Sequence, residues 1–287
     1  MIKELIHVNL RIIVCARLDL TRWRNIFWLL ASLTSTTLLA VSPAASVPEN
    51  LPAVNGANNK SAQVPTPSPL YFTNIHSVQA QYDVLLHGLK VGTMTEHFIR
   101  NQNAYHIENH SVATGFAALL KPEKVHTVST GIVTANGLRP TTYSQTRKLD
   151  SRRNAYADFN WDALTVTLKD KSGILTVPLP AGTQDRLSAM YQFLHISLKE
   201  ATTRTFSMTN GNKITDYVYN ITPNQSVTTP LGTFAATYLS SLPQSNSRRS
   251  EIWIVPEHEN FPYKMILTDS DGEKITQVLT KLKITPH

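Results

Sequence analysis

The sequence predicts an all-β protein, a strongly curved or partly closed antiparallel sheet with one helix packed on or in it. Three observations predict this class. From Val78 onward, apolar and polar residues alternate with a period of two, which is typical of strands with one buried face. Turn-forming pairs such as Asn136-Gly137 and Asn210-Gly211 separate the alternating segments. Only the segment from Asp185 to Leu198 shows helical spacing instead.

The first alternating segment places Tyr82, Val84 and Leu86 on one face, and His87-Gly88 predicts the reversal into a second strand. Leu89, Val91, Thr93 and Thr95 are expected to continue the alternation in that second strand. The further predicted strands share the period of two, and they are Ala104 to Thr114, Val125 to Thr134, Thr141 to Leu149, Ala155 to Trp161, Leu164 to Leu168, Thr203 to Met208, Lys213 to Asn220, Thr233 to Ser240, Arg249 to Val255, Tyr263 to Asp269 and Glu273 to Lys283. A sheet of about a dozen strands must curl, split or be covered, which predicts the curvature.

One helix interrupts this pattern. Its apolar residues recur at helical spacing, and they are Leu187, Met190, Tyr191, Leu194 and Leu198. Asp185 is the predicted N-cap, with Ser188 at the third helical position. We expect the helix to plug or flank the concave side of the sheet, whose interior is either packed with aromatic side chains or left as an apolar cavity.

The N-terminal region has the layout of an export signal. Arg22 and Arg24 precede an uncharged apolar stretch, Asn25 to Val41, and the small residues Ala44-Ala45-Ser46 follow it. We predict a signal peptide at residues 1–46, with an unusually long basic part that leaves the translation start open. Residues 47–75 are rich in Pro, Asn and Ser and predict a disordered linker, and residues 76–287 a single β domain. The expected location is the periplasm; the alternative is an inner-membrane anchor formed by an uncleaved N-terminal helix.

Charge and cysteine content narrow the function classes. The net charge is +7, but five basic and two acidic residues belong to the leader, so the remaining charge is spread thinly and does not favour nucleic acid. The single cysteine, Cys15, also lies in the leader. The predicted mature domain therefore has no disulfide or thiolate chemistry, and no cofactor is expected.

Several short motifs occur in a characteristic order. They are Tyr82-Asp83 with Gly88 and Gly92, Gly115-Phe116-Ala117-Ala118-Leu119, Gly137-Leu138-Arg139-Pro140, Phe159-Asn160-Trp161, Gln184-Asp185-Arg186-Leu187-Ser188 with Tyr191, and Trp253 before Pro262 and Asp271-Gly272. From about Gln79 to Lys283 the chain resembles family 3108 of the domains of unknown function, although Asn160 stands where the family pattern has Asp. The resemblance implies an envelope or periplasmic β protein of proteobacterial type, and it implies neither a reaction nor catalytic residues.

One row of side chains has the chemistry of a metal site. His106, Glu108 and His110 share a face of the third predicted strand, and alternate strand positions about 6.6 to 7 Å apart can place two imidazoles on one metal ion. Tyr105 and Ile107 occupy the other face, so the same row is also typical of a solvent-exposed surface. These three residues are the candidate metal ligands, and both interpretations stay open.

Other polar groups have structural interpretations. Asp185 and Ser188 lack the Gly-x-Ser-x-Gly context of a hydrolase nucleophile, so we interpret them as a helix cap. His195 flanks the apolar stripe of the helix and is expected to be structural. Asp269-Ser270-Asp271-Gly272 lacks the distant Glu of a calcium loop and predicts a hairpin turn. No catalytic residue is predicted, and no ligand-binding residue is assigned.

The expected function is binding of an apolar ligand, such as a lipid or an acyl chain, inside the curved sheet during envelope maintenance. One alternative is a structural envelope protein that binds other envelope proteins. Two others are an outer-membrane barrel, because segments of about ten alternating residues also typify such barrels, and a metal-dependent hydrolase that uses His106, Glu108 and His110. Enzyme activity is not the favoured interpretation, and the sequence does not indicate the oligomeric state.

Overall fold

The computed structural model describes residues 75–198, 201–244 and 248–286. The predicted signal peptide at 1–46, and the predicted linker up to residue 74, lie outside the described residues. Within the described ranges, fifteen strands form one sheet: β1 (Ile75–Leu86), β2 (Leu89–Asn101), β3 (Ala104–Ala113), β4 (Lys124–Thr134), β5 (Gly137–Arg147), β6 (Ala155–Asn160), β7 (Thr165–Asp170), β8 (Gly173–Pro178), β9 (Gln184–Asp185), β10 (Thr203–Thr209), β11 (Ile214–Thr229), β12 (Gly232–Ser241), β13 (Arg249–Val255), β14 (Phe261–Thr268) and β15 (Lys274–Pro286).

The sheet consists of two meanders joined in the middle. The strand order is β8-β7-β6-β5-β4-β3-β2-β1-β15-β14-β13-β12-β11-β10-β9, so the first and last strands of the chain are neighbours. All strand pairs are antiparallel except the two-residue pairing of β9 with β10. The predicted large antiparallel sheet is confirmed, and it curves around its own core without closing.

Tight reversals connect most of the strands. His87 and Gly88, with φ of 49° and 79°, join β1 to β2, and both angles belong to the left-handed region that such hairpins require. Gly137, the first residue of β5, has φ of 100°, and a Cβ atom there would clash with the side chain of Gln192. Gly137 is therefore needed both for its backbone conformation and for the close approach of the helix.

The residues expected to carry the alternation of β2 do not share a buried face, since Val91 is buried and Leu89 is 72% exposed. The register of β1 and β2 shifts between Val84, which pairs with Gly92, and Leu85, which pairs with Lys90, so Val91 is an extra residue. A bulge of this kind reverses the face on which later side chains lie. After it, the inward residues of β2 are Met94, Glu96 and Phe98, whereas Thr93 and Thr95 face outward; all three inward residues are buried.

Helix α2 (Arg186–Gln192) lies on the concave side of the sheet, followed by a short 3₁₀ turn at Phe193–His195. The predicted N-cap is confirmed: the Asp185 carboxylate accepts hydrogen bonds from the amides of Leu187 and Ser188. The helical segment ends earlier than predicted, because Ile196 is extended. A second short helix, α1 (Gly115–Leu120), was not predicted from the sequence.

The apolar core fills one part of the concave side. Its main cluster contains Leu187, Tyr191 and Leu194 of the α2 segment, packed on strand residues such as Phe98 and Ile107. Two further clusters lie under β11 to β13 and under β6 and β7. The helix therefore packs in the sheet, as predicted.

Side-chain amides bridge the gap between β5 and β9, the last strand at one end of the sheet. The Gln184 amide of β9 donates to the carbonyl oxygen of Leu138 on β5 at 2.8 Å. Gln192 of α2 accepts from the Leu138 amide at 2.8 Å and donates to the Asn136 carbonyl at 2.9 Å. Because these bonds replace a backbone ladder, the barrel is only partly closed. No helix in the described part of the chain has the length and apolar character needed to cross a membrane.

Candidate functional site

The concave side of the sheet and helix α2 together enclose a cavity of about 160 Å³. Its lining comes from both meanders: β1 to β5 on one side, and β10, β11 and β13 to β15 on the other. The sequence left open whether the interior is packed or hollow, and the structure shows both, an apolar cluster around α2 and a cavity beside it.

Methionine side chains line this cavity. All four methionines of the described residues, Met94, Met190, Met208 and Met265, contribute to its surface. They come from one helix and three strands that are distant in sequence. Methionine is unbranched and polarizable, so its side chain adapts to ligands of different shape. Their convergence on one space is the feature of the interior that points most clearly to a ligand.

Polar side chains form a continuous row on the other side of the cavity, which we call the polar row: Glu96, Asn109, Thr127 and Gln145. These residues pair directly across β2, β3, β4 and β5, and each occupies an inward, buried position. The Asn109 amide donates to Glu96 Oε1 at 2.9 Å, and the Tyr191 hydroxyl donates to Glu96 Oε2 at 3.4 Å. The interior therefore offers hydrogen-bonding groups as well as apolar surface.

The polar row was missed in the sequence analysis. Asn109 follows Tyr105 and Ile107 at two-residue intervals, so its place on the buried face could have been read from the pattern. Glu96 was obscured by the bulge at Val91, which changes the face of β2. The sequence signal for the polar row was a polar residue at a position where the two-residue period predicts a buried, apolar one.

Burial raises the pKa of Glu96 to about 7, and the hydrogen bonds from Asn109 and Tyr191 oppose this rise without cancelling it. The carboxyl group is only 8% exposed. An acid that titrates near neutral pH inside a cavity is a candidate functional group, because such shifts cluster at sites that handle ligands.

Four cationic residues border the same cavity, and we call them the basic rim: Arg186, Lys213, Arg248 and Arg249. Lys213 and Arg249 are exposed, whereas Arg186 and Arg248 are half-buried. Glu96 is the one acidic residue among the described residues that line the cavity. The solvent-facing part of the site is therefore positively charged and attracts anionic groups.

The candidate metal ligands lie on the outer face of the sheet, away from this cavity. Glu108 Oε1 is 3.0 Å from His110 Nε2 and 2.7 Å from Nε2 of His126, a residue of β4 that the sequence did not single out. His106 is exposed on the same strand and is not part of this group. Burial raises the pKa of Glu108, but His126 and His110 outweigh this and hold that pKa below its ordinary value.

The other polar residues have structural roles. Asp185 is fully buried; its carboxylate accepts from the Ser129 hydroxyl in addition to the helix amides, and burial raises its pKa to about 6. His195 is half-buried, and burial, followed by the charge of Arg100, lowers its pKa to about 3. The backbone amides of Asp271 and Glu273 donate to Asp269 Oδ1, so this segment forms the predicted hairpin turn.

A partly closed antiparallel sheet around one helix and a cavity defines a β-barrel-like protein with an internal cavity. Residues 81–280 match the family described as Protein of unknown function (DUF3108), and the chain belongs to this family. The resemblance found in the sequence motifs is thereby confirmed. No curated protein matches the sequence.

One solved structure shows the same fold, and two others are similar to the chain at lower TM-scores. A β-barrel-like protein of the family DUF1849 from Brucella abortus is 13% identical, with a TM-score of 0.51, over 74% of this chain and 98% of that chain. A candidate lipoprotein from Parabacteroides distasonis is 12% identical, with a TM-score of 0.31, over 75% and 98% of the two chains. A candidate exported protein from Bacteroides fragilis is 8% identical, with a TM-score of 0.33, over 75% and 99%.

Proposed function

We propose that this is an exported bacterial envelope protein that binds an anionic amphipathic ligand, with an acyl chain in the cavity and its head group at the basic rim. The single observation that carries the proposal is the convergence of all four described methionines on one cavity. The charge at the solvent-facing part of that cavity supports an anionic head group.

Export is supported by the sequence of the leader. An uncharged apolar stretch between basic and small residues is the layout of a secretory signal peptide. We propose the periplasm as the location. This compartment is oxidising, and the proposed mature part has no cysteine that could be oxidised there. An uncleaved leader that anchors the same domain to the inner membrane is compatible with ligand binding in the cavity.

The cavity volume limits the size of the ligand. A cavity of about 150 Å³ admits a molecule the size of benzene, so about 160 Å³ holds one chain end and not two chains side by side. Rearrangement of the methionine side chains can lengthen this space. The polar row gives a hydroxyl or amide group on the chain hydrogen-bonding partners that a plain alkane could not use.

The test is a binding measurement with the full chain purified without detergent. The fluorescent fatty acid cis-parinaric acid is the probe, and the account predicts saturable binding of one equivalent. Met265→Trp fills the cavity and should weaken binding at least about tenfold, which corresponds to about 1.4 kcal/mol. Ile266→Trp is the matched control, because this neighbouring residue lies on the opposite face of β14 and does not line the cavity.

A second variant tests the head-group site without altering the interior. Lys213→Glu combined with Arg249→Glu changes two exposed residues, so the fold should be retained. Weaker binding of the fatty acid, with less dependence on salt, is the expected result. The proposal is overturned if the natural protein shows no saturable binding, or if Met265→Trp and Ile266→Trp weaken binding equally.

A further inference from the structure

A second site lies on the outer face of the sheet and is independent of the cavity. We call Glu108, His110 and His126 the outer histidine cluster. The antiparallel register of β3 and β4 pairs His110 directly with His126, and Glu108 is two residues away on the same face of β3. The fold, and not a local motif, brings these side chains together.

The ligand atoms of the three side chains lie close together. The imidazole rings of His110 and His126 are stacked with centroids 4.4 Å apart and planes within 7°. Their Nε2 atoms both lie within hydrogen-bond distance of the same carboxylate oxygen, Glu108 Oε1, at 3.0 and 2.7 Å. All three ligand atoms lie within 4.8 Å of one another.

These separations are close to those of a bound metal ion. Zinc bonds to nitrogen and oxygen ligands at about 2.0 to 2.1 Å, so adjacent ligand atoms of a tetrahedral site are about 3.3 Å apart. The oxygen-to-nitrogen distances of 3.0 and 2.7 Å need to widen by about 0.3 and 0.6 Å to reach this value. The two stacked imidazole rings also need to rotate, because each nitrogen binds a metal in the plane of its ring. Two imidazoles with one carboxylate are also a donor set that suits zinc and copper(II).

Further donors surround the cluster. His97 on β2 pairs directly with Glu108, and His106 lies two residues before Glu108 on the same outer face. Side chains at directly paired positions have Cβ atoms about 4.5 to 5.5 Å apart, so the His97 imidazole can reach the fourth coordination position. Four of the ten histidines in the chain are therefore placed around one glutamate.

We propose that Glu108, His110 and His126 bind one divalent transition-metal ion, zinc or copper(II), on the outer face of the sheet. Three protein ligands leave a fourth position for water or for His97. The partial exposure of all three side chains, between 35% and 54%, gives an ion direct access from solvent. The site takes the metal alone and requires no ligand in the cavity.

The experiment uses the full chain without a polyhistidine tag, stripped of metal with a chelator. Zinc binding is measured by titration calorimetry, and the account predicts one equivalent. His110→Ala and His126→Ala should each weaken binding more than about tenfold, because loss of a mere hydrogen-bond partner of a metal ligand already costs about that much. His87→Ala is the matched control, since His87 is also exposed and bonded to a glutamate, Glu273, at 2.7 Å, but has no second histidine in a metal-binding group.

Copper(II) gives a readout that does not depend on any variant. Electron paramagnetic resonance of the natural protein with one equivalent of copper(II) should show coupling to at least two imidazole nitrogens. Zinc binding that survives both histidine substitutions, or that His87→Ala weakens equally, would overturn the proposal. A copper spectrum without nitrogen coupling would overturn it as well.

Discussion

Glu96 shows how a single residue combines burial with chemistry. Its carboxyl group is placed inside the sheet by the bulge at Val91, and its hydrogen-bond partners among the described residues are Asn109 and Tyr191. Burial raises its pKa from 4.5 to about 7, so the folded protein holds this proton more tightly than the unfolded chain does. The stabilising effect of the neutral form is complete below pH 4.5, and it is lost as the pH rises from 4.5 through 7.

This loss of stability with rising pH predicts the behaviour of Glu96→Gln. The amide keeps the shape and the hydrogen bond from Tyr191 but cannot ionise, so the variant and the natural protein should differ little in stability at pH 4.5. At pH 8 the variant should be more stable, by an amount on the order of 3 kcal/mol, which is the free energy of the shift in pKa. Urea unfolding across this pH range measures the difference.

Glu257→Gln is the control for that measurement, because Glu257 is exposed. Removal of this exposed carboxyl group should not reproduce the gain in stability that Glu96→Gln shows at pH 8. The buried Asp185 titrates in the same direction in every one of these proteins, so its contribution cancels. A Glu96→Gln protein that is less stable than the natural one at pH 8 would contradict this account of the carboxyl group.

Helix α2 links the two sides of the partly closed barrel. Its cap residue Asp185 accepts from two helix amides and from Ser129 on β4, while Gln192 at its C-terminal end bonds the hairpin between β4 and β5. The helix is only two turns long, and helices of this length are held by tertiary contacts and not by propensity. Its ends, more than its interior, tie the two halves of the sheet together.

Asp185→Ala tests this role. The variant loses the cap, which costs about 0.5 to 2 kcal/mol, and leaves the buried hydroxyl of Ser129 without this acceptor. We expect a loss of about 2 to 3 kcal/mol in the free energy of unfolding at pH 7.5, measured by urea denaturation. Asp185→Asn retains an oxygen acceptor and should lose clearly less; equal losses for the two variants would show that the hydrogen bonds of the cap are unimportant.

At the scale of the whole molecule, local features of the sequence predicted local structure well. The period of two located most of the strands, Asn136-Gly137 and His87-Gly88 marked real reversals, and the helix cap was identified. Each of these depends on residues within a few positions of one another. The bulge at Val91 was not visible, because it depends on how two strands pair.

Long-range pairings could not be predicted for the same reason. The pairing of the first strand with the last, Ile75 to Leu86 with Ile275 to Pro286, joins residues about 190 to 210 positions apart. The meeting of His110 with His126 depends on register, which the alternation alone does not determine. The candidate sites consist mainly of such pairs, so the sequence indicated a curved sheet and left its contents open.

The central claim is that the sheet encloses a cavity in which an acyl chain contacts the methionine side chains. The most direct test is nuclear magnetic resonance of the full chain labelled with ¹³C in its methionine methyl groups, with and without a fatty acid. The account predicts chemical-shift changes and intermolecular Overhauser effects between the chain and the methyl groups of Met94, Met190, Met208 and Met265. Methyl resonances that stay unchanged at saturating fatty acid, with no such effects, would contradict it.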